Sequence, residues 1–221
     1  MVARPKEDDM SLKQTLSTAA AIGLLALAAL LALGAGCKPA GPKVFNPDGL
    51  AAPKVEPPIA KPDFVLTTTD GRPYDFRKET EGKVALLFFG YTHCPDVCPV
   101  HLANIAAVLR KLSPEVNNAV QVVFVTTDPV RDTPAAMRAW LDKFDPRFIG
   151  LTGDSLALMN AIGQLPFGKP VIERLPGDTA YYVGHPATVI AFTRDNLAHV
   201  VYPFGIRQQD WARDLPLLTE Q

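Results

Sequence analysis

Val84-Ala85-Leu86-Leu87-Phe88-Phe89-Gly90 carries no charge and no polar alternation. That is the pattern of a strand buried on both faces, as in the middle of a parallel sheet. A second run of the same kind, Val120 to Thr126 (VQVVFVT), follows about 30 residues later. Between them, Leu102, Ile105, Val108, Leu109 and Leu112 recur at helical spacing, which predicts a helix from about Val100 to Leu112. Strand, helix, strand is a crossover unit, so the two runs are expected side by side and parallel.

Outward from this unit the elements keep alternating. Thr133-Pro134 reads as the cap and first-turn proline of a helix to about Phe144, and Phe148 to Leu151 as a short strand. Asp154 caps a helix to about Ile162. Pro170 to Leu175 and Thr179 to Gly184 pair across Pro176-Gly177-Asp178 as one hairpin, and Ala187 to Thr193 with Ala198 to Tyr202 form another around Asp195-Asn196. A closing helix is expected from about Gln208 to Leu218, and Asp63 to Thr69 with Tyr74 to Phe76 make an opening hairpin at Asp70-Gly71. No internal repeat is visible. The plan matches an α/β domain of thioredoxin-like type, a central mixed sheet flanked by helices with an inserted β-hairpin.

With 221 residues, 48% hydrophobic and 20% charged, the chain suits one globular core. A net charge of -1 and scattered Lys and Arg argue against nucleic acid as a partner. Three cysteines, Cys37, Cys94 and Cys98, are too few for a disulfide scaffold.

Ala19 to Gly36 is uncharged and apolar, which fits an export segment or a short membrane anchor, with Lys13 as its positive flank. Starting at Met10 instead of Met1 removes the acidic Glu7, Asp8 and Asp9 and gives a more usual charge pattern. Leu33-Gly34-Ala35-Gly36-Cys37 resembles a bacterial lipobox, which implies lipidation at Cys37, although Gly34 stands where leucine is preferred. Either outcome tethers the chain to the membrane with its domain on the extracytoplasmic side. Seven of the 21 prolines follow between Pro39 and Pro62, so residues 38–61 read as a semi-extended linker. The expected organisation is therefore 1–37 signal or anchor, 38–61 linker and 62–221 globular domain.

Cys94 and Cys98 fall between the carboxyl end of a buried strand and the start of a helix, where an α/β sheet opens its crevice. Amides and the positive dipole end of the helix favour thiolate there. Thiolates attack disulfides and bind soft metals. Their i, i+4 spacing is one residue wider than a CxxC pair, which favours a metal without forbidding a disulfide.

Gly90-Tyr91-Thr92-His93-Cys94-Pro95-Asp96-Val97-Cys98-Pro99 resembles the signature of Sco/SenC proteins. Asp128-Pro129-Val130-Arg131-Asp132-Thr133-Pro134 resembles that family's second motif and Phe148-Ile149-Gly150-Leu151-Thr152-Gly153 its third, in the same order from about Asp63 onward. The resemblance implies one copper per domain, as Cu(I) or Cu(II), held by Cys94, Cys98 and a downstream histidine. His185 in Gly184-His185-Pro186 occupies that histidine's place. It implies as partner the copper-bearing subunit of cytochrome c oxidase or its assembly factors, served by copper delivery or by preparing that site's thiols. Zinc competes for any such ligand set.

Alternatives remain at three points. Pro186 follows His185 where serine or threonine is usual and looks like the cis-proline segment of ordinary thioredoxins, which favours a thiol-disulfide oxidoreductase cycling Cys94 and Cys98. His101, three residues past Cys98, offers a wholly local Cys94/Cys98/His101 site. A peroxidase ranks last because its TxxC context is absent. Among nearby groups, Asp96 reads as a helix cap, and Asp128 as a carboxylate that orients His185 or pairs with Arg131. His93 is expected to point away from the cysteines, and His199 to have no metal-like company. Mass analysis of the membrane fraction is expected to find a mature chain beginning at diacylated Cys37; an intact N terminus would leave a helical anchor instead.

Overall fold

The computed structural model describes residues 49–168, 170–173 and 181–221. In chain order the strands are β1 (Lys54–Ala60), β2 (Val65–Thr68), β3 (Pro73–Asp75), β4 (Val84–Gly90), β5 (Val120–Thr126), β6 (Ile149–Thr152), β7 (Val171–Glu173), β8 (Tyr182–Gly184), β9 (Thr188–Phe192) and β10 (Leu197–Pro203). The helices are α1 (Phe76–Glu79), α2 (Val97–Leu109), α3 (Pro114–Ala119), α4 (Pro134–Leu141), α5 (Ser155–Gly163) and α6 (Gln208–Thr219).

Every residue of β4 is buried. Its backbone is matched by β5 in parallel, with Leu86 opposite Val122 and Phe88 opposite Phe124, and by β9 antiparallel, with Leu87 opposite Ile190. The whole sheet runs β1-β10-β9-β4-β5-β6-β2-β3, and β7 and β8 form a separate antiparallel ribbon. This is the expected mixed thioredoxin-like sheet. The pleat divides β4 between two cores. Val84, Leu86 and Phe88 pack with Leu102, Ile105 and Leu109 of α2 and Trp211, Leu215 and Leu218 of α6. Ala85, Leu87 and Phe89 face the other way, with Phe76 of α1 and Leu158, Ala161 and Ile162 of α5.

The expected strands β4 and β5 are observed with the same bounds, and the hairpins at Asp70-Gly71 and Asp195-Asn196 form as read. The β7–β8 pairing also forms, while its turn at Pro176-Gly177-Asp178 lies outside the described residues. Some helix boundaries move. Helix α2 starts at Val97 instead of Val100, because the Asp96 carboxylate accepts the Val97 amide at 2.7 Å and Pro99 sits in a first turn that needs no donor. Helix α4 closes at Leu141, and the chain to Phe144 continues as tight turns. The short helices α1 and α3, capped by Asp75 and Ser113, are too brief to leave a periodic signal.

The linker reading needs the largest correction. Residues 1–48, including Cys37, lie outside the described residues. Leu50, Ala51 and Ala52 are fully buried, however, and β1 pairs antiparallel with β10. The amides of Ala51 and Ala52 donate to the Asp214 carboxylate of α6 at 2.8 and 2.9 Å. Tyr202, which also donates to Asp214 at 3.1 Å, stacks on Trp211 at 3.8 Å. The folded unit thus begins before residue 62. Proline misled the reading because β1 is an edge strand, where a missing N–H costs nothing on its open side. Lys61, at the supposed boundary, is buried with its ammonium donating to Thr80 Oγ1 at 3.1 Å, and burial lowers its pKa. Among the described residues no helix is long and apolar enough to cross a membrane.

Asp214→Asn exchanges a doubly accepting carboxylate for an amide that donates toward one of those N–H groups. Urea unfolding is expected to show a loss of about 2 kcal/mol with the fold retained.

Candidate metal centre

The end of β4 sets the site. Gly90 has to be glycine, because a Cβ there would stand 2.6 Å from the Cys98 Sγ and 2.9 Å from the Phe124 ring. The chain then turns through Tyr91, whose carbonyl accepts the Cys94 amide at 3.2 Å, into α2. Cys98 occupies the first turn of that helix, and its own amide donates to the Cys94 Sγ at 3.4 Å. The second limb arrives 87 residues later, where β8 passes into β9 and His185 brings Nε2 to 3.4 Å from the Cys98 Sγ. The ligand atoms of Cys94, Cys98 and His185 all lie within 4.8 Å of one another.

His185 Nδ1 lies 3.1 Å from the Pro186 carbonyl. A carbonyl only accepts, so this bond holds a proton on Nδ1 and turns Nε2 toward the sulfurs. The rings of Phe88 and Tyr91 bracket the imidazole edge-on at 5.9 and 5.7 Å. The His185-Pro186 peptide is trans, and the cis peptide among the described residues is Glu56-Pro57. Two sulfurs and an imidazole nitrogen converging from a partly open edge form a donor set for a soft or borderline cation.

The two thiols are free and unequal. The hydrogen bond from the Cys98 thiol, reinforced by His185 and the Cys98 amide against the cost of burial, brings Cys94 down to about 3. Burial pushes Cys98 far above its ordinary value, and the charges of Cys94 and Asp132 add to the rise. The reduced pair is therefore one thiolate, on Cys94, and one thiol.

Other sequence-flagged residues fall as follows. His101 does not join the cysteines: it is buried between the rings of Phe88 and Phe204 with Nε2 3.4 Å from the Ala187 carbonyl, and burial lowers its pKa. The local Cys94/Cys98/His101 alternative is thereby corrected, since that imidazole is spent on packing and on steadying the chain after His185. Asp128 touches Arg131, one of its two expected partners, and takes the Tyr181 hydroxyl at 2.9 Å. Arg131 lies on the Tyr181 ring at 3.6 Å and donates to the Tyr181 carbonyl at 3.0 Å, which ties the start of the His185 limb to the loop after β5. His93 is half exposed and turned to Thr92, and His199 pairs with Asp195 at 2.7 Å. Asp132, fully buried beside the cysteine loop, was overlooked in the sequence. Its one visible signal was its place in the Asp128–Pro134 motif.

A mixed sheet with a cysteine pair at the amino end of its first crossover helix, and a histidine from beyond an inserted ribbon, defines a thioredoxin-like domain with a Cys₂His cluster. The SCO1/SenC family model matches residues 53–219, and the chain belongs to that family. It is 42% identical over 107 residues to the Protein SCO2 homolog, mitochondrial, of Mus musculus, covering 47% of this chain and 40% of that protein. The chain thus spans less than half the length of that curated relative. Among solved structures, apo Sco1 from Thermus thermophilus superposes with a TM-score of 0.68 at 31% identity, over 76% of this chain and 96% of the other. Bradyrhizobium japonicum ScoI, solved with copper bound, gives 0.62 at 35% identity over 72% and 99%.

Because Cys94 ionises near 3 when folded and near 9.0 as an ordinary thiol, the folded state holds fewer protons than the unfolded chain between those values, and this group adds stability as pH rises through that window. Limited iodoacetamide labelling of the reduced protein at pH 6 is expected to modify Cys94 with Cys98 spared, at a rate nearly unchanged to pH 8. A labelling rate that climbs tenfold per pH unit would contradict the assignment.

Proposed function

We propose that this protein binds one copper ion, as Cu(I) or Cu(II), through Cys94, Cys98 and His185. It delivers that ion to, or prepares the thiols of, the dinuclear copper site of cytochrome c oxidase. The observation that carries this reading is the meeting of two sulfurs and one imidazole nitrogen within 4.8 Å from limbs 87 residues apart. Copper in the related ScoI structure supports the identity of the ion. A thiolate pair suits Cu(I), and the imidazole extends the set to Cu(II). The partner is the copper-bearing oxidase subunit or its assembly factors. The domain works on the extracytoplasmic side, tethered through residues 1–37 and Cys37, with a spacer that ends before Leu50.

Thiol-disulfide exchange is the second reading, favoured by the Cys94 thiolate beside the Cys98 thiol. In it Cys94 attacks a substrate disulfide, one substrate thiolate leaves, and Cys98 displaces the other to close the Cys94–Cys98 bond.

Cu(I) titration of the reduced chain against a competing chelator separates the two. One tight equivalent is expected in the parent and in His101→Ala, and a loss of at least about a hundredfold in affinity in His185→Ala, as for removal of one of three ligands. Tight binding that survives His185→Ala would leave thiol exchange as the function.

A further inference from the structure

Asp132 is completely buried. His93 Nδ1 lies 3.7 Å from its carboxylate on a half-exposed ring. The Asp132 carboxylate collects donors from two pieces of chain. Thr126 Oγ1, at the end of β5, donates at 2.7 Å. Thr92, two residues before Cys94, donates its backbone amide at 3.1 and 3.2 Å and its hydroxyl at 2.6 Å. The Asp132 amide is fixed in turn by the Asp128 carbonyl at 3.0 Å, and the Thr127 amide closes onto the Gly90 carbonyl at 2.7 Å. The loop after β5 is thus bolted to the start of the cysteine loop.

A buried carboxylate is costly unless its oxygens are filled, and an apolar side chain would pack the same space without that cost. Such a group is justified by what it orients. Here it orients the amide and hydroxyl of Thr92, and Thr92 fixes where Tyr91 presents the carbonyl that receives the Cys94 amide. We infer that Asp132 is a positioning residue, an anchor that holds the Cys94–Cys98 loop at the separation from His185 that copper requires. The inference rests on the reading of these three residues as a copper site.

The test compares the reduced chain with Asp132→Asn and, as a control for lost stability, with Asp214→Asn, an equally buried carboxylate that serves Ala51, Ala52 and Tyr202. Without any metal, amide hydrogen exchange of the peptide spanning Thr92 and Cys94 is expected to quicken about tenfold in Asp132→Asn relative to β5, as for loss of a charge-assisted bond. Asp214→Asn should leave that ratio unchanged. With metal, Cu(I) affinity of the folded protein should fall about tenfold in Asp132→Asn only. The thiolate-to-Cu(II) absorption band should shift in the same variant. Should Asp132→Asn fail to fold, Thr126→Val, which removes one donor and keeps the carboxylate, is expected to move both readings about threefold in the same direction. Parent-like exchange at Thr92 together with parent-like affinity, or an affinity loss matched by Asp214→Asn, overturns the inference. A parent chain that binds no Cu(I) defeats the copper reading, while Thr92 exchange judges the anchor with no metal present.

Discussion

The structure depends on one demand: β4, buried on both faces, must have every backbone N–H and C=O met by neighbouring strands. One side is met by β5, which runs parallel and therefore needs a crossover, supplied by α2. The other side is met by β9, which runs antiparallel. The amino end of α2 and the chain entering β9 are consequently delivered to the same end of β4. Cys94, Cys98 and His185 meet there because a strand that cannot face water imposes the path of both neighbours.

The same demand explains which parts were legible. An uninterrupted apolar run such as Val84 to Gly90 has few alternatives, so β4 and β5 could be bounded to the residue. Residues 50–60 were misread because the signal of a proline-rich spacer and that of an edge strand overlap; the Asp214 carboxylate and the open side of β10 decide between them, and neither is local in sequence. The cysteine pair announced itself by position. His185 did not: no periodicity links it to Cys98, and its place came from the resemblance alone. Asp132 stayed hidden because one letter in a polar loop says nothing about burial.

The two limbs of the site are held differently. Asp132 grips the cysteine limb with a carboxylate that has four donor contacts. Asp128 and Arg131 hold the histidine limb through Tyr181, with an ion pair, a stacked guanidinium and a hydroxyl bond. One loop, residues 128–132, therefore touches both limbs of the site.

Electrostatics sets the charge of the pair. The empty pair carries one negative charge, because burial of Cys98 keeps its proton on and the shared hydrogen bond keeps Cys94 without one. A second buried thiolate is affordable only when a cation sits between the sulfurs, so loading should expel the Cys98 proton and unloading should recover it. The thiol that resists ionisation in the empty state thus penalises the naked dithiolate without penalising the filled one.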